Sequence, residues 1–378
     1  MAEKTTEEKN GNESGLVCQR VTLAVFVAII GGLFILCRAA APVALLQSER
    51  REPARFPALT TSTIASAVFM DRFENYAADN FVFREGFRRL RSAFVFGALQ
   101  QSDKNGLYLD AYSAGEFKPI NPGSIEQLTK KIQTAAAALN GANVFYSYIP
   151  DKSIYSNKEL PGFDSTLAER LLTEAPGMGG YTFVDLVGAL DAGSFYRTDL
   201  HWRQTELQGV LAALGQAMGF DVDLNEYSEG YAGELHGVYS GQIALQIGTD
   251  DIGYLSCPSL SASYLNEKTM ELEPGPVYDW DKLTGLDAYD FFLSGAQPLI
   301  ILENREAASD KELYLFRDSF SSSLAPLLAG AYSKIVLIDL RYINMRTLNR
   351  YVEFKPGSDA LFLYSTLVLN NSGLLLIT

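Results

Sequence analysis

Histidine, cysteine and positive charge are all scarce in this chain. It has two histidines and three cysteines in 378 residues, and 31 Lys and Arg against 45 Asp and Glu, for a formal charge of -14. Such acidity makes nucleic acid a poor match as a partner, because phosphate binding needs clustered Lys and Arg to displace counterions. Cys18 and Cys37 flank an apolar N-terminal segment and leave Cys257 alone beyond it, so neither a disulfide framework nor a Cys/His metal cluster is encoded. P-loop and dinucleotide glycine motifs are missing too. The glycines of "APGMGGY" (175–181) lack a strand-before-helix setting and read as a turn. No repeat of fixed period or low-complexity tract occurs, and no cofactor is implied.

What the chain does have is apolar: 47% of its residues are hydrophobic and 12% aromatic, enough to bury a sizeable core. One run stands apart. "VTLAVFVAIIGGLFILC" (21–37) carries no charge and is bounded by Arg20 and Arg38, about the shortest length that spans a bilayer. It reads as a single membrane anchor behind an N-terminal tail, residues 1–20. Two other readings are weaker. Ala39 to Ala41 is small enough for a signal-peptidase site, but the leader is long and mixes Glu with Lys. Cys37 as a lipid acceptor is preceded by bulky Ile35 and Leu36. Arg38, Arg50, Arg51 and Arg55 follow the run, so charge counting does not orient it.

Residues 38–65 mix Pro, Arg, Ser and Thr and read as a stalk, with an α/β domain expected over 66–378. "SAVFMDRFENYAADN" (66–80) and "FREGFRRLRSAFVFGAL" (83–99) repeat Phe and Leu at helical spacing and are expected to face a core. Strands are expected in "NVFYSYIP", "YTFVDLV", "LIILEN", "ELYLFRD", "KIVLIDL" and "ALFLYST"; helices are expected in "IEQLTKKIQTAAAALNG", "TLAERLLTEA" and "TELQGVLAALGQAMGF". These strands are continuous apolar runs, as in a mostly parallel sheet sandwiched between helices. Residues 221–297, rich in Gly, Tyr and Asp, carry no clear pattern.

Two stretches could carry chemistry. In "RTDLHW", Asp199 and His201 are one residue apart, so an extended segment would point both to one face, where the carboxylate could fix the imidazole tautomer. Equally, His201 could end a strand while Asp199 caps a helix starting near Arg203. "LYLFRDSFSSSLAPLLAGAY" places Ser319 at a strand-to-helix junction, where helix-start N–H groups could face an oxyanion. It could also be simple capping by Ser319, Ser321, Ser322 and Ser323, with Asp318 favoured by the helix dipole.

"ENYAADNFVFREGFRRL", "FYRTDLHW", "RDSFSSSLAPLLA" and "IVLIDLRYI", in that order, resemble the bacterial DHHW protein family, which is similar to the SGNH-hydrolase-like proteins of alginate O-acetylation. The resemblance covers most of the chain past the anchor. It implies an SGNH-hydrolase-like three-layer α/β sandwich with a mostly parallel sheet, behind one N-terminal transmembrane helix. It also implies Asp199, His201 and Ser319 as a catalytic triad, in an order that is no obstacle since triads recur in several orders. Two departures stand out: Leu200 replaces the family's namesake histidine, and Arg317 stands where related serine blocks often have glycine.

Substrate-binding candidates are Arg341 and Tyr342, expected just past the carboxyl end of a strand, and Trp202 beside His201. Arg341 could equally pair with a carboxylate and serve only the fold. Lys152 in "IPDKSIY" is family-like, but a lysine after a strand is usually solvated; His236 reads as a loop residue. The resemblance implies acyl transfer or ester hydrolysis on an envelope or secreted polysaccharide, most plausibly O-acetylation, by a single-pass membrane protein with its catalytic domain outside the cytoplasm. A multipass membrane O-acyltransferase is the implied partner. The alternatives are a catalytically inactive glycan-binding or export-scaffold protein, and a purely structural envelope protein.

Overall fold

The apolar runs expected to form strands do so, and alternation of side chains along them divides two cores. A computed structural model describes residues 2–40, 43–66, 68–110, 113–156, 163–256 and 259–377; Cys257 lies outside them. The chain divides into two compact units, Met1–Arg91 and Ser92–Thr378, whereas composition suggested a boundary near Ser66.

In the second unit, after a small three-stranded antiparallel sheet (Asp103–Lys104, Leu107–Leu109 and Ala114–Glu116), the strands are β1 (Asn143–Ile149), β2 (Thr182–Phe183), β3 (Ser228–Leu235), β4 (Asp250–Ser256), β5 (Leu260–Leu265), β6 (Leu272–Gly275), β7 (Leu299–Asn304), β8 (Glu312–Arg317), β9 (Lys334–Ile338) and β10 (Asp359–Ser365). Eight of them form one sheet in the order β2-β1-β10-β8-β9-β7-β5-β6. The pairs from β2 through β9 are parallel, and those from β9 out to β6 are antiparallel. Along β8, Leu313 and Leu315 enter one core and Tyr314 and Phe316 the other, as period-two alternation requires of a strand buried on both faces.

The helices that cover those faces follow from capping and amphipathicity. In the first unit lie α1 (Ala2–Ala39), α2 (Val68–Asp79) and α3 (Arg84–Ala93, ending just past the unit); in the second lie α4 (Pro122–Ala136), α5 (Ser165–Thr173), α6 (Gln208–Met218), α7 (Val238–Ile243) and α8 (Ser321–Leu328). Helix α4 starts with Asn121 accepting from Ser124 N and Pro122 in the first turn. Its Ile125, Leu128 and Ile132, with Ala168 and Leu172 of α5, fill the Tyr314 side. Leu211 and Leu214 of α6 and Leu324, Leu327 and Leu328 of α8 fill the Leu313 side. The result is the expected three-layer α/β arrangement.

"YTFVDLV" pairs only over Thr182–Phe183. Asp185 accepts from Val187 N at 2.8 Å, and this local turn ends the strand. The unpatterned stretch 221–297 contains an antiparallel β3–β4 hairpin, strands β5 and β6, and short helical turns. Its aromatic residues pack on each other, with Tyr196, Leu235, Ile252, Tyr289, Phe291 and Phe292 buried in a separate cluster.

In the first unit, Val17–Ala39 of α1 has a mean hydropathy of 2.4, the one described helix long and apolar enough to cross a membrane; a signal sequence fits the same criterion. The segment read as a stalk is hydrogen-bonded to α2: Arg51 grips Asp79 at 2.6 and 2.7 Å, and Ala54 N donates to Asp79 at 2.8 Å. The expectation that α2 and α3 face a core fails for much of their apolar surface. Phe73, Phe87 and Leu90 are 37%, 52% and 66% exposed, because ion pairs of Arg84 and Arg88 take up the inner side of α3.

Candidate active site

The central strand β8 ends at Arg317, and the chain turns through Asp318, Ser319 and Phe320 into α8. Asp318 stiffens this turn: its carboxylate accepts from Phe320 N at 3.2 Å and, on the other oxygen, from Ser365 N at the end of β10 at 2.7 Å. From Glu312 to Ala329 every residue is buried except Ser319, which is half-buried. The turn thus presents a single hydroxyl at the carboxyl edge of the parallel strands.

The capping alternative does not describe these serines. Ser319 Oγ lies 2.8 Å from His201 Nε2. Ser322 Oγ accepts from Arg317 at 3.1 Å, and Ser323 Oγ meets the Trp202 indole at 3.0 Å and the Tyr289 hydroxyl at 2.9 Å. The expected oxyanion donors are also largely consumed: the N–H groups of Phe320, Ser321 and Ser322 donate to the Asp318 side chain, Asp318 O and Ser319 O. A turn this short folds its own amides inward. Among the described residues, the Ser319 N–H makes no hydrogen bond.

His201 reaches Ser319 from a loop rather than from the extended segment expected. Residues 197–201 form successive bends, closed by a Phe195–Trp202 bridge and by Tyr196 N donating to His201 O at 3.0 Å. Asp199 and His201 share a face because the aspartate curls back. Its Oδ1 lies 2.7 Å from His201 Nδ1 and accepts from His201 N at 3.2 Å. Its Oδ2 accepts from Val238 N at 2.9 Å, so Asp199 caps α7 rather than a helix near Arg203. With Nδ1–H donating to Asp199, Nε2 is left to accept the Ser319 hydroxyl proton, the tautomer a general base requires.

Three residues that sequence patterns did not single out as site residues hold this loop. Asp250 accepts from Arg197 N and Thr198 N, each at 2.7 Å, and from the Thr198 hydroxyl at 2.5 Å. Lys152, expected to be solvated, is 5% exposed and donates to Tyr196 O at 2.7 Å, Asp199 O at 2.9 Å and Arg197 O at 3.3 Å. Burial lowers its pKa to about 8, against the pull of Asp199, Asp250 and Asp151. Gly237 packs so closely on the Thr198–Asp199 backbone that a Cβ would collide with it.

The imidazole itself is sandwiched. The Tyr289 ring stacks on it at 3.7 Å and 7° between planes, and Phe320 meets it at 4.8 Å. Burial holds the Tyr289 phenol well above its ordinary pKa, so its hydroxyl stays a donor to Ser323. The Asp-x-His pattern and Ser319 were visible in sequence; Tyr289 and Asp250 come from the stretch with no periodic signal.

The substrate-binding candidates fare differently. Trp202 is fully buried, its indole N–H shared between Phe320 O at 2.9 Å and Ser323 Oγ. It supports the serine turn from beneath and has no surface to offer a substrate, a correction that follows from its place in the bridge with Phe195. Arg341 is bound through Nε and Nη2 to Asp339 at 2.9 and 2.6 Å, the fold-serving pairing. Burial would lower its pKa, but Asp339 outweighs that and raises it. Tyr342 is 49% exposed, lies under the Arg341 guanidinium at 5.4 Å, and lines a cavity of about 580 Å³ with Tyr264, Asn266, Lys268 and Gln297. Arg317, the departure from glycine, is fully buried. His236 is an exposed residue between β3 and Gly237. The described residues contain no cluster that could hold a metal ion.

No family model matches the chain, and no curated protein sequence does. Solved structures do. A DHHW family protein from Eubacterium siraeum superposes with a TM-score of 0.58 at 15% identity, covering 73% of this chain and 97% of that one. Bacillus cereus PatB1 with a sulfonyl adduct gives 0.54 at 15% identity, covering 70% of this chain and 95% of that one. A second structure of Bacillus cereus PatB1 gives 0.52 at 14% identity, covering 70% of this chain and 97% of that one. At these identities the likeness is one of fold, and it is the fold that the four ordered motifs implied.

Proposed function

We propose that this chain is an acyl-transfer enzyme of the cell envelope: a membrane-anchored O-acetyltransferase or esterase that acts on polysaccharide outside the cytoplasm through Ser319, His201 and Asp199. The observation that carries this reading is the continuous hydrogen-bonded path from Ser319 Oγ to His201 Nε2 at 2.8 Å and from His201 Nδ1 to Asp199 Oδ1 at 2.7 Å. A glycan-binding scaffold has no need of a half-buried hydroxyl bonded to an imidazole that is itself bonded to a buried carboxylate, so the path favours the catalytic reading.

His201 takes the Ser319 proton as Oγ attacks an acyl carbonyl, and Asp199 stabilises the imidazolium. The Ser319 N–H supports the oxyanion. Collapse of the tetrahedral intermediate returns the proton from His201 to the leaving oxygen. A sugar hydroxyl, or water in an esterase, then gives its proton to His201 and attacks the acyl-serine, which regenerates Ser319. Tyr342, half exposed past the end of the neighbouring strand β9, receives the acceptor sugar, with Arg341 held beneath it by Asp339. A multipass membrane acyltransferase supplies the acyl group, since acetyl-CoA is not the donor outside the cytoplasm.

A sulfonyl adduct was captured in PatB1, so a sulfonyl fluoride is a fitting probe. Treated with phenylmethylsulfonyl fluoride, the full chain is expected to gain one sulfonyl group at Ser319 by intact mass and peptide mapping. Ser319→Ala abolishes the adduct, His201→Gln slows it strongly, and p-nitrophenyl acetate turnover falls in parallel. Labelling at another residue, or labelling of Ser319 at an unchanged rate in His201→Gln, would overturn the proposal.

A further inference from the structure

Helix α3 is built inside out. At 100° per residue, Phe87 and Leu90 centre on a direction about 110° round the axis from that of Arg84 and Arg88, so the apolar and the arginine faces are distinct. A helix of a folded unit ordinarily turns its apolar stripe inward. Here the arginines are inward, 16% and 19% exposed, with Arg84 bonded to Glu49 and Asp79 and Arg88 to Glu49, Ser48 and Glu85. Phe87 and Leu90 are left 52% and 66% exposed. Phe83, just before the helix, is 65% exposed and has a φ of 62°, a left-handed conformation that is costly for a bulky side chain. A strained backbone that delivers an aromatic ring to the outside implies something there to receive it.

Three observations identify the occupant. The same unit begins with the apolar helix Val17–Ala39, which on the proposed anchor reading tethers it to a bilayer. Its charge is opposite to that of the whole chain: residues 1–91 hold twelve Lys and Arg against ten Asp and Glu, while the chain carries -14. Over 84–91, Arg84, Arg88, Arg89 and Arg91 stand against Glu85 alone, and Arg89 and Arg91 are exposed at the margins of the apolar face. Exposed Phe and Leu rimmed by arginine is the composition of a helix that lies in the interface of an anionic membrane.

We propose that the Phe83–Phe87–Leu90 face of α3 docks on the bilayer surface, its apolar side chains at the headgroup and acyl boundary and its flanking arginines among anionic headgroups. This rests on the anchor reading given above and is separable from it. The test uses the full chain reconstituted in phosphatidylcholine–phosphatidylglycerol vesicles, with and without dibrominated acyl chains, as Leu90→Trp and, independently, Phe87→Trp. Wild type provides the response of Trp202 and Trp280.

The expected result is that each added tryptophan emits at shorter wavelength in vesicles and loses most of its emission to brominated lipid, beyond the wild-type change. A chain that floats with the vesicles after an alkaline wash while neither added tryptophan is quenched would overturn the docking and leave the anchor standing. A chain that does not float with the vesicles would overturn both.

Discussion

Replacing Lys152 by Met tests whether the His201 loop is held by a buried cation. Lys152→Met removes the donor to Tyr196 O and Asp199 O; Arg197 O keeps Ala114 N as a partner. Taking the Lys152 donor from two buried carbonyls costs about 2–6 kcal/mol. Against this, the variant no longer buries an ammonium whose pKa falls from 10.5 to about 8, a relief of about 3 kcal/mol at neutral pH. The net change in stability is therefore small, on the order of 1–2 kcal/mol. Reactivity is expected to change far more, because displacement of the loop by about 1 Å costs roughly 100-fold.

The pH dependence separates the two effects. Below about 8 both folded and unfolded chains hold the Lys152 proton, so this group contributes no slope; between about 8 and 10.5 only the unfolded chain holds it. The unfolded state then binds more protons, and wild-type stability gains from this group as pH rises, by about 3 kcal/mol across the window. In Lys152→Met that gain is absent. Urea unfolding of the two detergent-solubilised chains from pH 7 to 10, beside the rate of Ser319 sulfonylation at pH 7, reads both quantities. A stability difference that does not vary with pH, or a variant that labels as fast as wild type, would refute the reasoning.

Three further substitutions, at two positions, probe the support of His201. Tyr289→Phe keeps the ring on His201 and removes only the hydroxyl to Ser323, a cost of about 1 kcal/mol in urea unfolding with sulfonylation of Ser319 nearly unchanged. Tyr289→Leu removes the stack and is expected to slow sulfonylation by about tenfold, the equivalent of one aromatic contact; equal rates in the two variants would show that the ring does not position the imidazole. Gly237→Ala drives a methyl group into the Thr198–Asp199 backbone. A loss of about 1–3 kcal/mol is expected, together with slower labelling, whereas a wild-type melting temperature and rate would mean that the loop yields freely.

Much of the second unit was legible because its signals are local. Continuous apolar runs such as "ELYLFR" and "ALFLYS" announce strands buried on both faces, and "DLH" and "RDS" name the three residues that meet. What misled was the assumption that close residues take regular structure. Asp199 and His201 share a face through a bend, not a strand, and Asp199 caps α7 across the fold. Lys152, by its position after a strand, resembles any solvated lysine; only the chain folding over it supplies the carbonyls of Tyr196 and Asp199. Trp202 attracted attention as a neighbour of His201, yet alternation places it on the buried side.

The sequence by itself determined the layers and the N-terminal apolar helix, since these follow from periodicity and from an uncharged run; it pointed to the Asp-His-Ser set only through the resemblance carried by four ordered motifs. Tertiary structure alone decided that Ser319 and His201, 118 residues apart, come within hydrogen-bond reach, that Tyr289 lies flat on the imidazole, and that α3 turns Arg84 and Arg88 in and Phe87 out. Each of those depends on which distant groups arrive to satisfy a charge or cover a ring, and no pattern along a single stretch of chain carries that information.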